Sequence, residues 1–151
     1  MRRKDRERDE AFALAVLDKC EYAFFSTVNA DGGPYCIPVS PVRDGMFIYF
    51  HCAVKGQKLD NLQRDGRVCL ACVGNTQLVP EKFTTLYESC VVFGKAGMVE
   101  AEAEKIHALR LLCEKYAPGY MDRFDSAVEK SLAVTGICKI EIEQATGKQK
   151  A

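Results

Sequence analysis

The stretch from Tyr22 to Cys52, YAFFSTVNADGGPYCIPVSPVRDGMFIYFHC, decides the fold. Tyr22 to Asn29 is aromatic and β-branched, and Ala23, Phe25 and Thr27 alternate against Phe24, Ser26 and Val28, the period of a strand with two unlike faces. Asn29-Ala30-Asp31-Gly32-Gly33-Pro34 is a dense turn signal, and a second strand follows from Tyr35 to Val42. Pro38 and Pro41 cannot donate to a ladder, so part of that strand lies at an edge or a bulge. Arg43-Asp44-Gly45 is a tight turn into a third strand, Met46 to Cys52. Three short strands joined by hairpin signals, without a helical crossover, predict an antiparallel meander and not a βαβ unit.

Outward from this stretch the pattern alternates between helix and strand periods. Residues 8–20 read as an amphipathic helix, with Phe12, Val16 and Cys20 four apart. Lys55 to Arg64 reads as a second helix ended by Asp65-Gly66. Arg67 to Val73 is a fourth strand, and a long fifth lies within Thr84 to Glu100, where Gly94 and Gly97 predict bends or a bulge. Residues 101–116 form the clearest helix, a short one spans 122–131, and Val134 to Ile142 is the last strand. The sum is one mainly β domain over residues 1–151, about six antiparallel strands with helices. Such strands have edges to hide, which favours a barrel.

Composition excludes several functions. Of 151 residues, 48% are hydrophobic and 28% charged, enough for a buried core, and the formal net charge is zero. A general nucleic-acid binder normally shows a basic excess. The one basic stretch, Met1-Arg2-Arg3-Lys4-Asp5-Arg6, is followed at once by acids. No apolar run reaches the length of a membrane span, and the charged N-terminus lacks the apolar segment of a secretory signal. A cytoplasmic protein is expected. Its eight cysteines would then be reduced and act mostly as small hydrophobes. Cys69 and Cys72 have a metal-motif spacing, but three apart on a strand they face opposite ways, and no second pair completes four ligands. No metal site is expected.

The chemistry-bearing stretch is Tyr49-Phe50-His51-Cys52-Ala53-Val54-Lys55-Gly56-Gln57-Lys58. A strand ends in a histidine, a glycine turns the chain into a helix, and two lysines sit at the helix start. Cations there are unfavourable unless an anion is bound, because the free N–H groups already carry positive charge. Lys55 and Lys58 therefore read as a phosphate seat, against the bland reading of two solvated lysines. Ile37-Pro38-Val39-Ser40 reads as an edge whose backbone groups are free to meet a planar polar ligand.

Five pieces in order resemble the pyridoxamine 5′-phosphate oxidase-like flavoproteins, the FMN-binding split barrels, and within them the nitroimidazole-resistance (Nim-type) proteins. They are Met1 to Arg6, Gly33-Pro34-Tyr35-Cys36-Ile37-Pro38-Val39-Ser40, Ile48 to Lys58, Tyr87-Glu88-Ser89-Cys90-Val91-Val92-Phe93-Gly94-Lys95-Ala96, and Glu143-Gln144-Ala145-Thr146-Gly147-Lys148. The resemblance implies a six-stranded split β-barrel and a homodimer with FMN at the subunit interface. The flavin ring would lie along Ile37, Pro38, Val39 and Ser40. The phosphate would be held near His51, Cys52, Ala53 and Lys58, by Lys58 with the turn from His51 through Lys55 to Gly56, and Tyr49 would be a further cofactor-binding residue. Tyr87 and Ser89 would reach a flavin from the partner chain. His51 is the candidate catalytic residue, as proton donor to a reduced substrate or as hydrogen-bond donor to the cofactor. The implied activity is FMN-dependent reduction of a small electron-poor substrate such as a nitroimidazole or other nitroaromatic. The competing reading is a flavin- or haem-binding module without turnover, with His51 as an axial ligand. The vitamin-forming oxidases of the superfamily carry tryptophan and arginine signatures near the C-terminus. This chain has no tryptophan, which argues against pyridoxamine phosphate oxidation. No Gly-x-Gly-x-x-Gly follows a strand, so a Rossmann nicotinamide site is not expected.

Overall fold

Two strands that are neighbours in sequence end up at opposite ends of one sheet, and this shapes the molecule. The computed structural model describes residues 2–151; Met1, first residue of the basic N-terminal stretch, lies outside them. The elements are β1 (Glu7–Arg8), α1 (Glu10–Lys19), β2 (Ala23–Val28), β3 (Pro34–Val39), β4 (Val42–Asp44), β5 (Phe47–Ala53), α2 (Gln57–Arg64), β6 (Arg67–Val79), β7 (Thr84–Met98), α3 (Glu102–Tyr116), α4 (Phe124–Ser131) and β8 (Thr135–Lys150). The strands form one sheet in the order β3-β2-β6-β7-β8-β5-β4, with β1 added to β8, and every pairing is antiparallel.

Only Ser40 and Pro41 separate β3 from β4. Across a flat sheet the two would lie about 29 Å apart, six strand spacings of about 4.8 Å. Val39 to Val42 spans at most about 11 Å of extended chain. The sheet must therefore curl until its ends meet. They meet without a ladder between them, so the barrel is split along a seam.

This corrects the expected meander. The β2–β3 and β4–β5 hairpins form as read, but the expected second strand breaks at Ser40-Pro41 and its two halves join opposite ends of the sheet. Among the described residues the strand count is eight, not six, because β1 and β4 are short additions. β6 runs on to Val79 and β8 to Lys150, beyond the predicted ends at Val73 and Ile142. In both extensions the backbone pairs while the side chains lose their apolar alternation. The predicted bulge falls at Gly94, where the β7–β8 register shifts. A Cβ there would collide with the Glu141 carbonyl.

The barrel interior is filled by Phe25, Ile48, Phe50, Leu70, Val92 and Ile140, with α1 contributing Ala13, Val16 and Leu17. Phe25 and Phe50 meet edge to face at 4.9 Å. Burying one such side chain contributes about 1.5–3 kcal/mol. Asp9 caps α1 by accepting from the Phe12 amide at 2.9 Å. Gly147 lets the helix approach, since a Cβ there would lie 2.9 Å from a Phe12 ring carbon and 3.2 Å from the Ala13 nitrogen. A second cluster packs α3, through Ala108 and Leu112, against Val42, Tyr49 and Ile137.

The outer face of β2, β6 and β7 leaves large apolar side chains half-exposed. Phe24, Ala71 and Val91 form one row across it, and Ser26, Cys69 and Phe93 the next. Phe24 is 45% exposed, Val73 52% and Phe93 48%. All eight cysteines are free. Cys72 points into the core and Cys69 lies half-buried on this outer face, so the pair diverges as the strand period requires. Among the described residues no three His, Cys, Asp or Glu side chains converge on a possible metal position.

Candidate functional site

The seam itself holds a pocket of about 340 Å³, lined by Tyr22, Ile37, Pro38, Val39, Ser40, His51, Cys52 and Lys58. Its two walls are unpaired strand edges. β3 ends the sheet and pairs only with β2. β4 covers β5 only from Phe47 to Tyr49, so the edge from His51 to Ala53 is open on that side. Half of the backbone N–H and C=O groups along each edge therefore face the gap and need partners. Pro38 carries no N–H, which suits it to such an edge.

At one end of the gap stands the N-terminus of α2. Gly56 caps it at φ 146°, a conformation that side chains resist. The Gly56 carbonyl accepts from the Leu59 and Asp60 amides, which leaves the preceding amides of the first turn free. The Lys58 ammonium folds back over this turn, 4.0 Å from where a Gly56 Cβ would sit. Free amides, a bare glycine and a cation converge as they do around a bound phosphate.

A polar network fixes α2 to the sheet. Asn61, 1% exposed, donates at 2.9 Å both to Thr27 Oγ1 and to Asn29 Oδ1. Gln57 donates to the same Asn29 oxygen at 2.9 Å. Arg64 donates to Asn61 Oδ1 at 2.6 Å. Gln57, Asn61 and Arg64 are spaced four and three apart and so share one helix face. That polar stripe is visible in the sequence, but the strand end it would bind is not.

The expected site residues separate into groups. Ile37, Pro38, Val39, Ser40, His51, Cys52 and Lys58 come together around the seam pocket. Ala53 and Lys55 are exposed on the turn that leads to Gly56, next to the pocket but not lining it. Tyr49 is elsewhere. It alternates with His51 onto the outer face of β5, but α3 covers it, and its hydroxyl donates to Glu104 at 2.9 Å. Tyr87 and Ser89 lie on β7 at the middle of the sheet, three strands from β3 and two from β5. Arg6 donates to the Tyr87 hydroxyl at 3.5 Å, and with Lys148 it draws the phenol below its ordinary pKa. Tyr22 lines the pocket and was not anticipated; an exposed aromatic directly before β2 was its only signal.

His51 is exposed at the pocket rim, where its ring can reach a ligand in the seam. Cys52 points inward, and burial pushes its thiol up, with Lys58 opposing. Cys138 lies deeper on the neighbouring strand and burial raises it further. Thiols held protonated in this way are poor nucleophiles. No helix among the described residues is long and apolar enough to cross a membrane.

Three comparisons bear on this geometry. A candidate 5-nitroimidazole antibiotic resistance protein from Bacteroides thetaiotaomicron is similar at 26% identity, covering 94% of this chain and 84% of that one, with a TM-score of 0.77. The flavocytochrome Anf3 from Azotobacter vinelandii shares the fold at 23% identity, 100% and 72% coverage, and a TM-score of 0.86. The FAD and heme binding protein from Mycobacterium smegmatis does so at 19% identity, 96% and 73% coverage, and a TM-score of 0.82. No curated protein matches the chain. Residues 9–149 match the family described as pyridoxamine 5′-phosphate oxidase, and with the split barrel and its seam in place the chain belongs to that family.

Proposed function

We propose that the seam binds FMN and that the protein is a flavin-dependent oxidoreductase acting on small, flat, electron-poor substrates such as nitroaromatics. The observation that carries this reading is the pair of open strand edges facing each other, with the N-terminus of α2 and Lys58 at one end. The donor set fits a phosphorylated flavin. The β3 edge offers backbone donors and acceptors to a planar ring with a polar rim, and Lys58 with the bare turn at Gly56 offers charge and amides to a phosphate. Bound there, a flavin would supply the electron transfer. The chain's own residues position, desolvate and protonate. Lys58 holds the anionic end, Ile37 to Ser40 orient the ring, and the His51 imidazole at the rim donates a proton to the reduced substrate.

The reading includes a homodimer in the cytoplasm. A half-exposed apolar patch around Phe24, Val73 and Phe93, bordered by Arg67 and Lys95 in the next row, supports it, because apolar patches of this kind mark interaction sites. Tyr87 and Ser89, remote from the seam of their own chain, would then serve the partner's site. Eight free cysteines suit a reducing compartment.

The test is the visible spectrum of the purified protein, followed by FMN titration of Lys58→Glu. Flavin bands are expected, and the substitution should weaken FMN by at least about tenfold, the loss of one charge-assisted contact of about 1.5–3 kcal/mol. Unchanged affinity would remove the phosphate seat. A Soret band that disappears in His51→Ala would replace the flavin reading by a haem-binding one, as the likeness to a flavocytochrome and a heme-binding protein allows. With flavin bound, anaerobic addition of a nitroaromatic should reoxidise the reduced protein; no reoxidation would leave a carrier.

A further inference from the structure

β6 and β7 outrun the rest of the sheet. β8 ends at its pairing of Lys150 with Tyr87, but β6 and β7 continue to pair through Gln77 with Leu86, Leu78 with Thr85 and Val79 with Thr84. These last pairs leave the sheet as a two-stranded arm about 10 Å long, at about 3.4 Å per residue. Its tip is a short helical turn, Pro80–Lys82, followed by Phe83. Phe83 is 99% exposed, and Leu78 on the arm is 75% exposed. Phe83 has φ 47°, the one positive value of a non-glycine residue among the described residues. A bulky side chain resists this left-handed conformation, which glycine adopts freely. The chain therefore holds a phenyl ring in a strained turn, in water, where its own fold gains nothing from it. Leu78 pairs with Thr85, which alternates with Tyr87 and Ser89, and Ser89 pairs with Val73. Leu78 thus stands on the face of Val73, and the apolar patch of the sheet runs on into the arm.

A hollow of about 510 Å³ lies at the base of the arm, with Tyr22, Phe24, Val73, Gly74 and Asn75 in its lining. A cavity of about 150 Å³ already accepts a benzene ring. Tyr22 and Phe24 meet there edge to face at 5.9 Å, an aromatic corner suited to a third ring. Lys19 at the rim is paired with Glu88, which leaves the exposed Glu21 as the counter-charge available to the exposed Lys82 of the tip. The tip cannot reach the hollow of its own chain, because the ladder from Thr76 to Val79 holds it away from the base. A second copy can reach it.

We propose that Phe83 of one copy fills the hollow beside Tyr22 of a second copy, reciprocally about a two-fold axis. The inference rests on the homodimer of the proposed function and adds the contact that builds it. It also gives the dimer a part in the site. Tyr22 walls both the hollow and the seam pocket, and in a lone chain it is 57% exposed. A ring seated behind it fixes that wall of the partner's seam.

The test is Phe83→Trp in the full chain, which has no tryptophan of its own, followed through a dilution series by fluorescence and sedimentation velocity. Emission should shift to the blue as the dimer forms, and Val73→Glu added to this variant should return it to that of a water-exposed indole. Phe83→Gly, which relieves the turn, should not lower the urea midpoint of the dilute chain, yet should weaken dimerisation at least about tenfold, the loss of one buried aromatic side chain. A dimer whose indole stays in water, or a blue shift that survives Val73→Glu, would refute the exchange. A monomer at every concentration would refute it together with the homodimer. A blue shift seen only on phosphatidylserine vesicles would make the tip a lipid contact and refute it as well. None of these readouts involves flavin, so a failed FMN titration would overturn the proposed oxidoreductase and leave the arm exchange standing.

Discussion

Replacing Asn61 by alanine tests whether the polar clasp under α2 holds the phosphate-seat helix in place. The substitution removes two donated bonds of 2.9 Å, to Thr27 Oγ1 and Asn29 Oδ1, and the 2.6 Å bond accepted from Arg64. Arg64 is exposed and regains water, so its loss counts for little. Asn29 keeps its bond from Gln57. Thr27 is 3% exposed and is left with a buried hydroxyl that no longer has this donor. Two net hydrogen bonds at about 1 kcal/mol each, plus part of the cost of an unpartnered buried group, come to about 3 kcal/mol. For a chain of this size that is a fall in Tm of roughly 6–12 °C. Urea unfolding at fixed protein concentration should show a lower midpoint with unchanged slope. A loss below about 1 kcal/mol would mean that α2 is held by Leu62 packing alone, and that the position of Lys58 does not depend on the clasp.

Gly94→Ala should cost about 2–4 kcal/mol, because the new Cβ strikes a backbone carbonyl that cannot swing away, whereas Gly97→Ala, with open space around it, should cost under about 0.5 kcal/mol; similar values for the two in urea unfolding would refute the bulge geometry. Alkaline titration by tyrosine absorbance, uncomplicated by tryptophan, should begin with Tyr87, whose phenol is lowered by Arg6 and Lys148, and end with Tyr49 and Tyr116, which burial raises; an unchanged first phase in Tyr87→Phe would contradict this order. Lys139 first and Tyr49 second hold the Glu104 carboxyl below its ordinary pKa. With the folded value below the unfolded one, its stabilisation is complete above the unfolded pKa and disappears as pH falls through the folded one. The stability gap between the native chain and Glu104→Gln should thus be full at pH 7, begin to narrow as pH falls past the ordinary glutamate value of about 4.3, and close only below the lowered folded pKa; a gap that persists in strong acid would assign it to packing.

Local signals in the sequence located almost every element, because caps, turns and periodicity act over a few residues. The β2–β3 hairpin follows from Asn29 to Pro34, and α2 from the glycines on either side. What connects distant segments was not legible. Tyr49 and His51, two apart, must share one face of a strand, yet the sequence could not reveal that α3 would cover one and spare the other. Pro38 and Pro41 announced an edge, but whether the chain there folds back or crosses to the far end of a curled sheet depends on β8, which arrives last. Glu143 to Lys150 has the polarity of a tail and is a strand because its backbone pairs with β7 and β1. The seam residues were found because a family pattern identified them; their meeting across the gap is a property of the curl.

That curl has a consequence for how the protein is made. His51 is paired with Ile137, 86 residues further along (137 − 51). At 5–20 residues per second, the ribosome needs roughly 4–17 s to supply that partner after His51 is added. Until then the nascent chain presents one wall of the gap on a hairpin whose other edge has no partner strand. The seam is therefore assembled only once β8 has been made, and a stop codon shortly before Thr135 would leave Lys58, the Gly56 turn and His51 all translated and the gap between the strand edges unformed.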